Sequence, residues 1–286
     1  MTQTILSIQS QIVYGHVGNS AARLPLERLG YEVLVLPTVL FSNHTGYKHH
    51  RGRVLESSEV CDLLLGLEEL NVYPSIDGVV LGYLGSAQNA ATVVDAVKKI
   101  KTANPKALFV CDPVMGDTDQ GLYVDAAVPA VMPKLIEVAD AVTPNQWEFE
   151  KLIGRKLTNR KEAIEEAKAY LLAYPKLGTV VITSLQTEDV DPATVENLVI
   201  TRSGVWTIAS PKIDRTIVTT GTGDILSAML TALLIDGVAP QKAVARAVSS
   251  IYEILTRMVP EDTELPIVRF QEAFARPSIE LTAEKL

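Results

Sequence analysis

The feature of this 286-residue sequence that most constrains its fold is a repeated alternation of short apolar runs with longer segments of helical spacing. The apolar runs end in small or polar residues, which is typical of strands buried in a parallel sheet. Such runs cover residues 4–9, 32–37, 78–81, 107–111 and 179–183, and helical segments cover 87–101, 160–173 and 224–234. The alternation predicts an α/β fold of three layers, α/β/α, with a largely parallel central sheet and helices on both faces.

The length and composition fit one compact domain, because 47% of the residues are hydrophobic and the chain is near the upper size for a single core. We therefore predict a single domain over residues 1–286. Segments 197–202 and 205–209 flank Ser203-Gly204 and predict an antiparallel hairpin. Segments 41–53 and 116–123 are predicted to be mobile loops over a binding site.

The charge balance argues against some partners. With 26 basic and 34 acidic residues, the formal charge of −8 offers no attraction for nucleic acid or an anionic membrane. The first residues do not resemble a secretory signal, and no apolar run approaches the ~20 residues of a membrane span, so a cytoplasmic location is expected. Cys61 and Cys111 are far apart and are predicted to be buried free thiols.

The strongest chemical signal is the glycine-rich stretch Thr219-Thr220-Gly221-Thr222-Gly223-Asp224, which leads into an apolar helix. Glycines allow a sharp turn that aims several backbone N–H groups at one point, and the helix N-terminus adds partial positive charge. This arrangement predicts an anion-binding turn. An alternative interpretation makes Asp224 a simple helix cap.

Two further groups of polar residues follow predicted strands. Asp112-Pro113-Val114-Met115-Gly116-Asp117 ends one strand, and Thr143-Pro144-Asn145-Gln146-Trp147-Glu148 follows another short apolar piece. Asn145 and Glu148 share a helix face, which fits either a capping box or oxygen ligands for Mg²⁺. Ligands bind at the carboxyl ends of the strands in such folds, so these groups are expected at the site.

At this point the sequence resembles a known superfamily. The Gly-Thr-Gly-Asp stretch near the end and the Asn-x-x-Glu stretch in the middle are similar to the ribokinase-like small-molecule kinases. The segments 9–21, 40–47, 82–85 and 111–116 resemble the pyridoxal kinase family specifically, in order along the chain. The resemblance implies a ribokinase-like fold and ATP- and Mg²⁺-dependent phosphorylation of the 5′-hydroxymethyl group of pyridoxal, with pyridoxine and pyridoxamine as further candidate substrates.

The resemblance also implies roles for matching positions on the substrate side. Asp224 corresponds to the base that takes the proton from the 5′-hydroxyl, and Gly221, Thr222 and Gly223 correspond to the turn that holds the transferring phosphoryl group. The residues expected around the pyridine ring are Ser10 at its nitrogen, Thr45 at its phenolic oxygen, Tyr83 over the ring, Val17 as an apolar wall, and His44 and Gly46 nearby.

On the nucleotide side, the resemblance implies that Asp112 and Glu148 hold the magnesium ion, together with water molecules that Asn145 orients. The other residues expected along ATP are Thr143, Thr183, Ser184, Ser210, Pro211, Lys212, Ile213, Gly221 and Gly223. Some bacterial relatives carry a lysine at the position of Thr183. Because threonine has no charge, the negative charge of the ATP phosphates must be neutralised here by magnesium, by backbone N–H groups or by Lys212. The wider superfamily often has an aspartate at the position of Val218, but pyridoxal kinases commonly lack it.

Three functions remain open at this stage. The first is pyridoxal kinase; the second is a hydroxymethylpyrimidine or sugar kinase of the same superfamily; the third is a protein that binds pyridoxal phosphate with little turnover. Asp224 argues against the hydroxymethylpyrimidine branch, which often has cysteine there, and the retention of Asp112, Glu148 and Asp224 together argues against storage alone. The resemblance further implies a homodimer, and it leaves a potassium requirement open.

Overall fold

The computed structural model describes residues 2–213 and 220–286. The strands are β1 (Thr4–Ile12), β2 (Glu32–Phe41), β3 (Gly52–Val54), β4 (Ile76–Leu81), β5 (Leu108–Cys111), β6 (Gly116–Asp117), β7 (Gly121–Leu122), β8 (Ala141–Val142), β9 (Thr179–Leu185), β10 (Thr194–Thr201), β11 (Gly204–Pro211) and β12 (Glu284–Lys285). The α-helices are α1 (Asn19–Arg28), α2 (Ser57–Glu69), α3 (Asn89–Ala103), α4 (Val128–Ile136), α5 (Gln146–Ile153), α6 (Arg160–Ala173), α7 (Thr222–Ile235), α8 (Pro240–Thr256) and α9 (Glu272–Ala275), with a short 3₁₀ turn at Tyr73–Ser75.

One large sheet runs through the molecule in the order β12-β11-β10-β9-β8-β5-β4-β1-β2-β3. The six strands from β9 to β2 pair in parallel. The strands outside them, β10, β11 and β12 at one edge and β3 at the other, pair antiparallel. The largely parallel central sheet predicted from the sequence is confirmed.

Successive side chains in the parallel strands point to opposite faces, so each strand contributes to two cores. On β4, Val79 and Leu81 belong to the core shared with α2 to α6, whereas Val80 faces α1 and α7. On β5, Val110 faces the core that α7 and α8 share. Both faces of the sheet are therefore covered by helices, as the three-layer prediction requires.

Helix ends follow local sequence signals. The Asn159 side chain accepts a hydrogen bond from Glu162 N–H at 2.9 Å, which starts α6 at residue 160, where the sequence predicts it. Gly154, with φ 74°, ends α5 in the left-handed conformation that glycine adopts at little cost. Residues 160–173 form α6, as predicted from the apolar spacing and from Tyr174-Pro175 after the helix.

The structure also differs from the sequence-based expectations. Helices α2, α4 and α8 were not predicted, although Pro240 at the first position of α8 is a recognisable start signal. The segments predicted as loops contain short antiparallel pairs, β2 with β3 and β6 with β7, because backbone groups there find partners across a turn. Cys111 is buried as predicted, but Cys61 is exposed on α2, so the prediction for Cys61 was wrong.

Two positions discussed in the sequence analysis, Val218 and Thr219, lie outside the described residues. Within the described part of the chain, no helix is both long enough and apolar enough to cross a membrane.

Candidate active site

A cavity of about 300 Å³ opens at the carboxyl ends of the central strands. Residues from the ends of β1, β2 and β9, and from the segments that follow β4, β5 and β8, meet there with the start of α7. The lining residues are Ser10, Ile12, Val17, Val39, Phe41, His44, Thr45, Gly46, Tyr83, Asp112, Val114, Asp117, Gln120, Tyr123, Thr143, Asn145, Glu148, Thr183, Ser184, Thr220, Gly221, Thr222, Gly223 and Asp224.

The glycine turn forms one wall of this cavity. Gly221 is the N-cap residue of α7, with φ 90°, and the helix begins at Thr222. Asp224 is therefore the third helical residue, and the N-cap residue Gly221 has no side chain that could cap the helix. The interpretation of Asp224 as a helix cap is wrong, because Gly221 occupies the cap position.

The Asp224 carboxyl has an unusual environment for an aspartate. Burial raises its pKa to about 6, although a hydrogen bond from the backbone N–H of Gly18 favours the ionised form. A carboxyl with this pKa is mostly ionised at neutral pH and can still accept a proton, which suits general base catalysis. It lies at the positive end of the α7 dipole, beside the glycine turn that the sequence predicts to bind an anion.

Asp112 and Glu148 lie deeper, with exposed fractions of 4% and 3%. Glu148 Oε1 accepts from Met115 N–H at 2.8 Å, and Oε2 accepts from Asn145 N–H at 2.9 Å. Asn145 Oδ1 accepts in turn from Glu148 N–H at 2.8 Å, which completes the capping box that the sequence left as an alternative. Glu148 thus joins the start of α5 to the segment after β5.

These two carboxyls carry perturbed pKa values. Burial, followed by the charges of Glu148 and Asp224, raises the pKa of Asp112 well above its usual value. Burial raises the pKa of Glu148 to about 8 despite its backbone hydrogen bonds. A bound cation would offset both costs. Among the described residues, no group of three His, Cys, Asp or Glu side chains lies close enough to hold a metal ion by itself.

The predicted ring-binding residues Ser10, Val17, His44, Thr45, Gly46 and Tyr83 all line the cavity. Ser10 lies at an irregularity in β1, where the register with β2 shifts between Gln9 and Gln11, and such irregularities re-aim side chains. Tyr83 follows β4, and its carbonyl accepts from the Thr38 hydroxyl at 2.6 Å. Ile12, Val39 and Phe41 form an apolar wall that was not predicted from the sequence; Ile12 lies two residues after Ser10 on β1, and Val39 and Phe41 lie at the end of β2.

On the predicted nucleotide side, Thr143, Thr183 and Ser184 also line the cavity. Ser184 has φ 52°, an unusual conformation for a serine and one that tends to occur at functional sites. The structure does not bring Ser210, Pro211, Lys212 and Ile213 to the cavity wall. They lie at and just after the end of β11, and β10 separates that strand from β9.

Tyr123 and Gln120 were not singled out as lining residues, although both lie in the segment predicted to be a loop over the site. They come from the hairpin of β6 and β7 and its exit, as does Asp117, which was expected at the site with Asp112, and Val114 precedes the hairpin. Burial and the charges of Glu148, Asp112 and Asp224 raise the pKa of the Tyr123 hydroxyl, so it stays protonated. The only available signal was an aromatic residue at the end of a predicted loop, which does not reveal that it turns inward.

The carboxylates that line the cavity are not balanced by basic side chains within the described residues. Asp112, Asp117, Glu148 and Asp224 line it, and no lysine or arginine does so within residues 2–213 and 220–286. An anionic ligand therefore needs a cation that enters with it, together with the backbone N–H groups and helix dipole of the glycine turn.

The strand order, the glycine turn and the carboxylate cluster define the class of protein, which is an α/β/α kinase of the ribokinase-like fold. The chain matches the family model described as phosphomethylpyrimidine kinase over residues 71–265. It is 39% identical over 277 residues to pyridoxal kinase PdxY of Leifsonia xyli subsp. xyli, covering 96% of each chain. It is also 39% identical over 290 residues to pyridoxal kinase PdxY of Deinococcus radiodurans, covering 100% of this chain and 97% of the relative.

Solved structures agree with these relatives. Pyridoxal kinase from Leishmania donovani in complex with ADP and ginkgotoxin is 29% identical and superposes with a TM-score of 0.92 over 99% of both chains. Pyridoxal kinase from Entamoeba histolytica is 27% identical, with a TM-score of 0.90 over 100% of both chains. The chain belongs to the pyridoxal kinase family.

Proposed function

We propose that this protein transfers the γ-phosphoryl group of ATP to the 5′-hydroxymethyl group of pyridoxal, and that pyridoxine and pyridoxamine are further substrates. One observation carries the proposal: a single cavity joins the glycine turn and Asp224, the carboxyls of Asp112 and Glu148, and the ring-binding set from Ser10 to Tyr83. The chain is an enzyme of vitamin B6 salvage that binds ATP. Solved relatives carry ADP with pyridoxamine or pyridoxine, and AMP-PNP with pyridoxal, which supports this substrate pair.

Asp224 is the proposed general base. It accepts the proton of the substrate hydroxyl as that oxygen attacks the γ-phosphorus and the bond to the β-phosphate oxygen breaks. Gly221, Thr222 and Gly223 form the proposed anion cradle, where backbone N–H groups and the helix dipole stabilise charge on the transferring group. Positioning and charge stabilisation supply most of the rate in such reactions.

The donor set of the cavity fits Mg²⁺. Asp112 and Glu148 are proposed to hold it, with Asn145 ordering nearby waters and Thr143 beside them. Thr143 Oγ1 is buried beside Asp112, and its interaction with that carboxyl favours the ionised form that a cation needs. When bound, the ion would neutralise triphosphate charge that no cavity lysine or arginine meets in residues 2–213 and 220–286.

The proposed contacts to the substrate ring come from Ser10, Thr45 and Tyr83. Val17 supplies an apolar wall, and His44 and Gly46 lie beside the ring. Thr183 and Ser184 contact the nucleotide phosphates or sugar. Ser210, Pro211, Lys212 and Ile213 can contribute only to a part of the nucleotide that lies beyond the cavity, toward β11.

A potassium requirement, a homodimer, a cytoplasmic location and one domain with mobile loops stay predictions from the family resemblance and the sequence.

An ATP-consumption assay tests the proposal. Purified protein with Mg²⁺ and ATP is offered pyridoxal, pyridoxine, pyridoxamine or hydroxymethylpyrimidine in separate reactions. We expect turnover with the B6 forms and much slower turnover with hydroxymethylpyrimidine. A preference for hydroxymethylpyrimidine would move the protein to the hydroxymethylpyrimidine kinase branch of the superfamily. Tight pyridoxal phosphate binding without ATP consumption would indicate a storage protein.

A further inference from the structure

A carboxylate outside the cavity lining connects two segments of the site. Glu264 lies between α8 and α9, and its side chain is only 10% exposed. Glu264 Oε1 accepts from the Tyr47 hydroxyl at 2.6 Å, and Oε2 accepts from the backbone N–H of His16 at 3.2 Å. The segment after β1, which contains His16, and the segment after β2, which contains Tyr47, thus both contact one side chain from the C-terminal part of the chain.

His44 is the third partner of this carboxylate. Its Nε2 lies 3.3 Å from Glu264 Oε1, and its Nδ1 accepts a hydrogen bond from Gly46 N–H at 3.2 Å. An Nδ1 that accepts cannot carry a proton, so the neutral ring has its hydrogen on Nε2, which faces Glu264. The rings of His44 and Tyr47 also pack, with centroids 4.6 Å apart. Glu264 therefore holds both ends of the turn from residue 44 to residue 47.

This carboxylate stays charged although it is largely buried. Burial alone would raise the pKa of Glu264, but the hydrogen bonds from His44, Tyr47 and His16 lower it below the usual value. Charge-assisted hydrogen bonds of this kind are stronger than neutral ones. The arrangement is thus a rigid connection rather than a loose surface contact.

The two connected segments both reach the cavity. His44, Thr45 and Gly46 line it on the ring side, whereas Tyr47 and Glu264 do not line it. His16 lies directly against the glycine turn, since a β-carbon on Gly221 would come within 2.0 Å of its carbonyl oxygen. A substitution of Glu264 can therefore affect the substrate only indirectly, through His44, Tyr47 and His16.

We infer that Glu264 is a positioning residue for the B6 substrate, holding the turn of residues 44–47 against the ring through His44 and Tyr47. The inference rests on the proposed function, because it assigns that turn to the vitamer and not to ATP. Loss of the carboxylate should weaken vitamer binding and leave ATP binding nearly unchanged.

Glu264→Gln tests this inference with a small change in shape. An amide has only one oxygen, so it cannot accept from both Tyr47 and His16 as the carboxylate does. We expect the KM for pyridoxal and its directly measured Kd to rise about tenfold or more, with the KM for ATP within about twofold. Tyr47→Phe should act in the same direction, and the double variant should be less than additive. Glu261→Gln, an exposed neighbour, is the matched control.

The outcomes separate the two proposals. A lower Tm for Glu264→Gln with an unchanged pyridoxal KM and Kd would make Glu264 a structural brace only and overturn the inference. If Glu264→Gln does not fold, an unchanged pyridoxal KM in Tyr47→Phe would overturn it instead. If the parent binds pyridoxal but does not phosphorylate it, the proposed function fails, while weaker pyridoxal binding by Glu264→Gln still supports the inference. If the parent does not bind pyridoxal at all, both fail.

Discussion

Gly221 lies so close to His16 that a β-carbon on the glycine would be 2.0 Å from the His16 carbonyl oxygen. The glycine also has φ 90°, which L-residues with side chains rarely adopt. The backbone of the glycine turn thus directly contacts the backbone of the segment after β1. A side chain at residue 221 would force one of these two segments to move.

Gly221→Ala should therefore displace the turn and lower turnover on the order of a hundredfold, because small misplacements at a reacting centre have effects of that size. Gly237→Ala is the matched control, since Gly237 has φ 74° but open space around it. The control should lower the free energy of unfolding by about 1–2 kcal/mol and leave turnover unchanged. Pyridoxal turnover and Tm measured for both variants decide the matter; equal activity in the two would contradict the expectation.

Asp224→Asn should fold normally and lose at least about a hundredfold in turnover, because an amide cannot accept the proton of the substrate hydroxyl. Tm should change little, since Gly221 and not Asp224 caps α7. Binding of Mg²⁺-ATP should persist, as titration calorimetry can show. Asp62→Asn, on the exposed surface of α2, is the control. Turnover of Asp224→Asn within a few-fold of the parent would refute the proposed base.

The raised pKa of Asp224 predicts the acid side of the pH profile. Burial raises this pKa to about 6, so the base becomes protonated as the pH falls through that value. With excess magnesium offsetting the raised pKa values of Asp112 and Glu148, the rate should be nearly level above about pH 6 and fall about tenfold per pH unit below it. Initial rates at subsaturating ATP and pyridoxal, with magnesium in excess, report the groups of the free enzyme. An acid limb near pH 4, as for an exposed aspartate, would argue against this environment.

Asp112→Asn should raise the Mg²⁺ concentration needed for half-maximal rate more than it raises the KM for pyridoxal. The reason is that Asp112 is buried beside Glu148 and Asp224, and a bound cation offsets the free-energy cost of placing these three negative charges close together. Rates measured across a magnesium titration at several pyridoxal concentrations separate the two effects. An equal loss in pyridoxal affinity would remove Asp112 from the proposed metal site.

Thr45→Val should weaken the transition state for pyridoxal by about 1–3 kcal/mol, because a polar ring substituent would lose its partner. The KM for ATP should barely change. Thr183→Val is the reciprocal control on the other side of the cavity and should raise the KM for ATP rather than that for pyridoxal. If ATP binding fell as far as pyridoxal turnover in Thr45→Val, Thr45 would not be a vitamer contact.

Much of the fold could be predicted from the sequence because its signals are local. The parallel strands appear as short apolar runs, and α6 was predicted residue for residue from its spacing and from Tyr174-Pro175 after its end. The capping box of Asn145 and Glu148 was also visible as a pattern. The prediction fell short where the signal was weak, as in α2 and α4, or was present but unused, as in α8 with Pro240 at its start.

The sequence by itself determined the layered α/β architecture and the glycine turn with its helix, and its resemblance to the pyridoxal kinase family implied most of the residues that line the cavity. The architecture and the turn follow from hydrophobic periodicity and short motifs, which act between near neighbours in the chain. Only the tertiary structure decided that Gly221, and not Asp224, caps α7, that Ser210 to Ile213 lie away from the cavity wall, and that Glu264 joins His16 to Tyr47. Those outcomes depend on which distant segments pack together and on whether a buried charge finds hydrogen-bond donors there, and no local pattern records either.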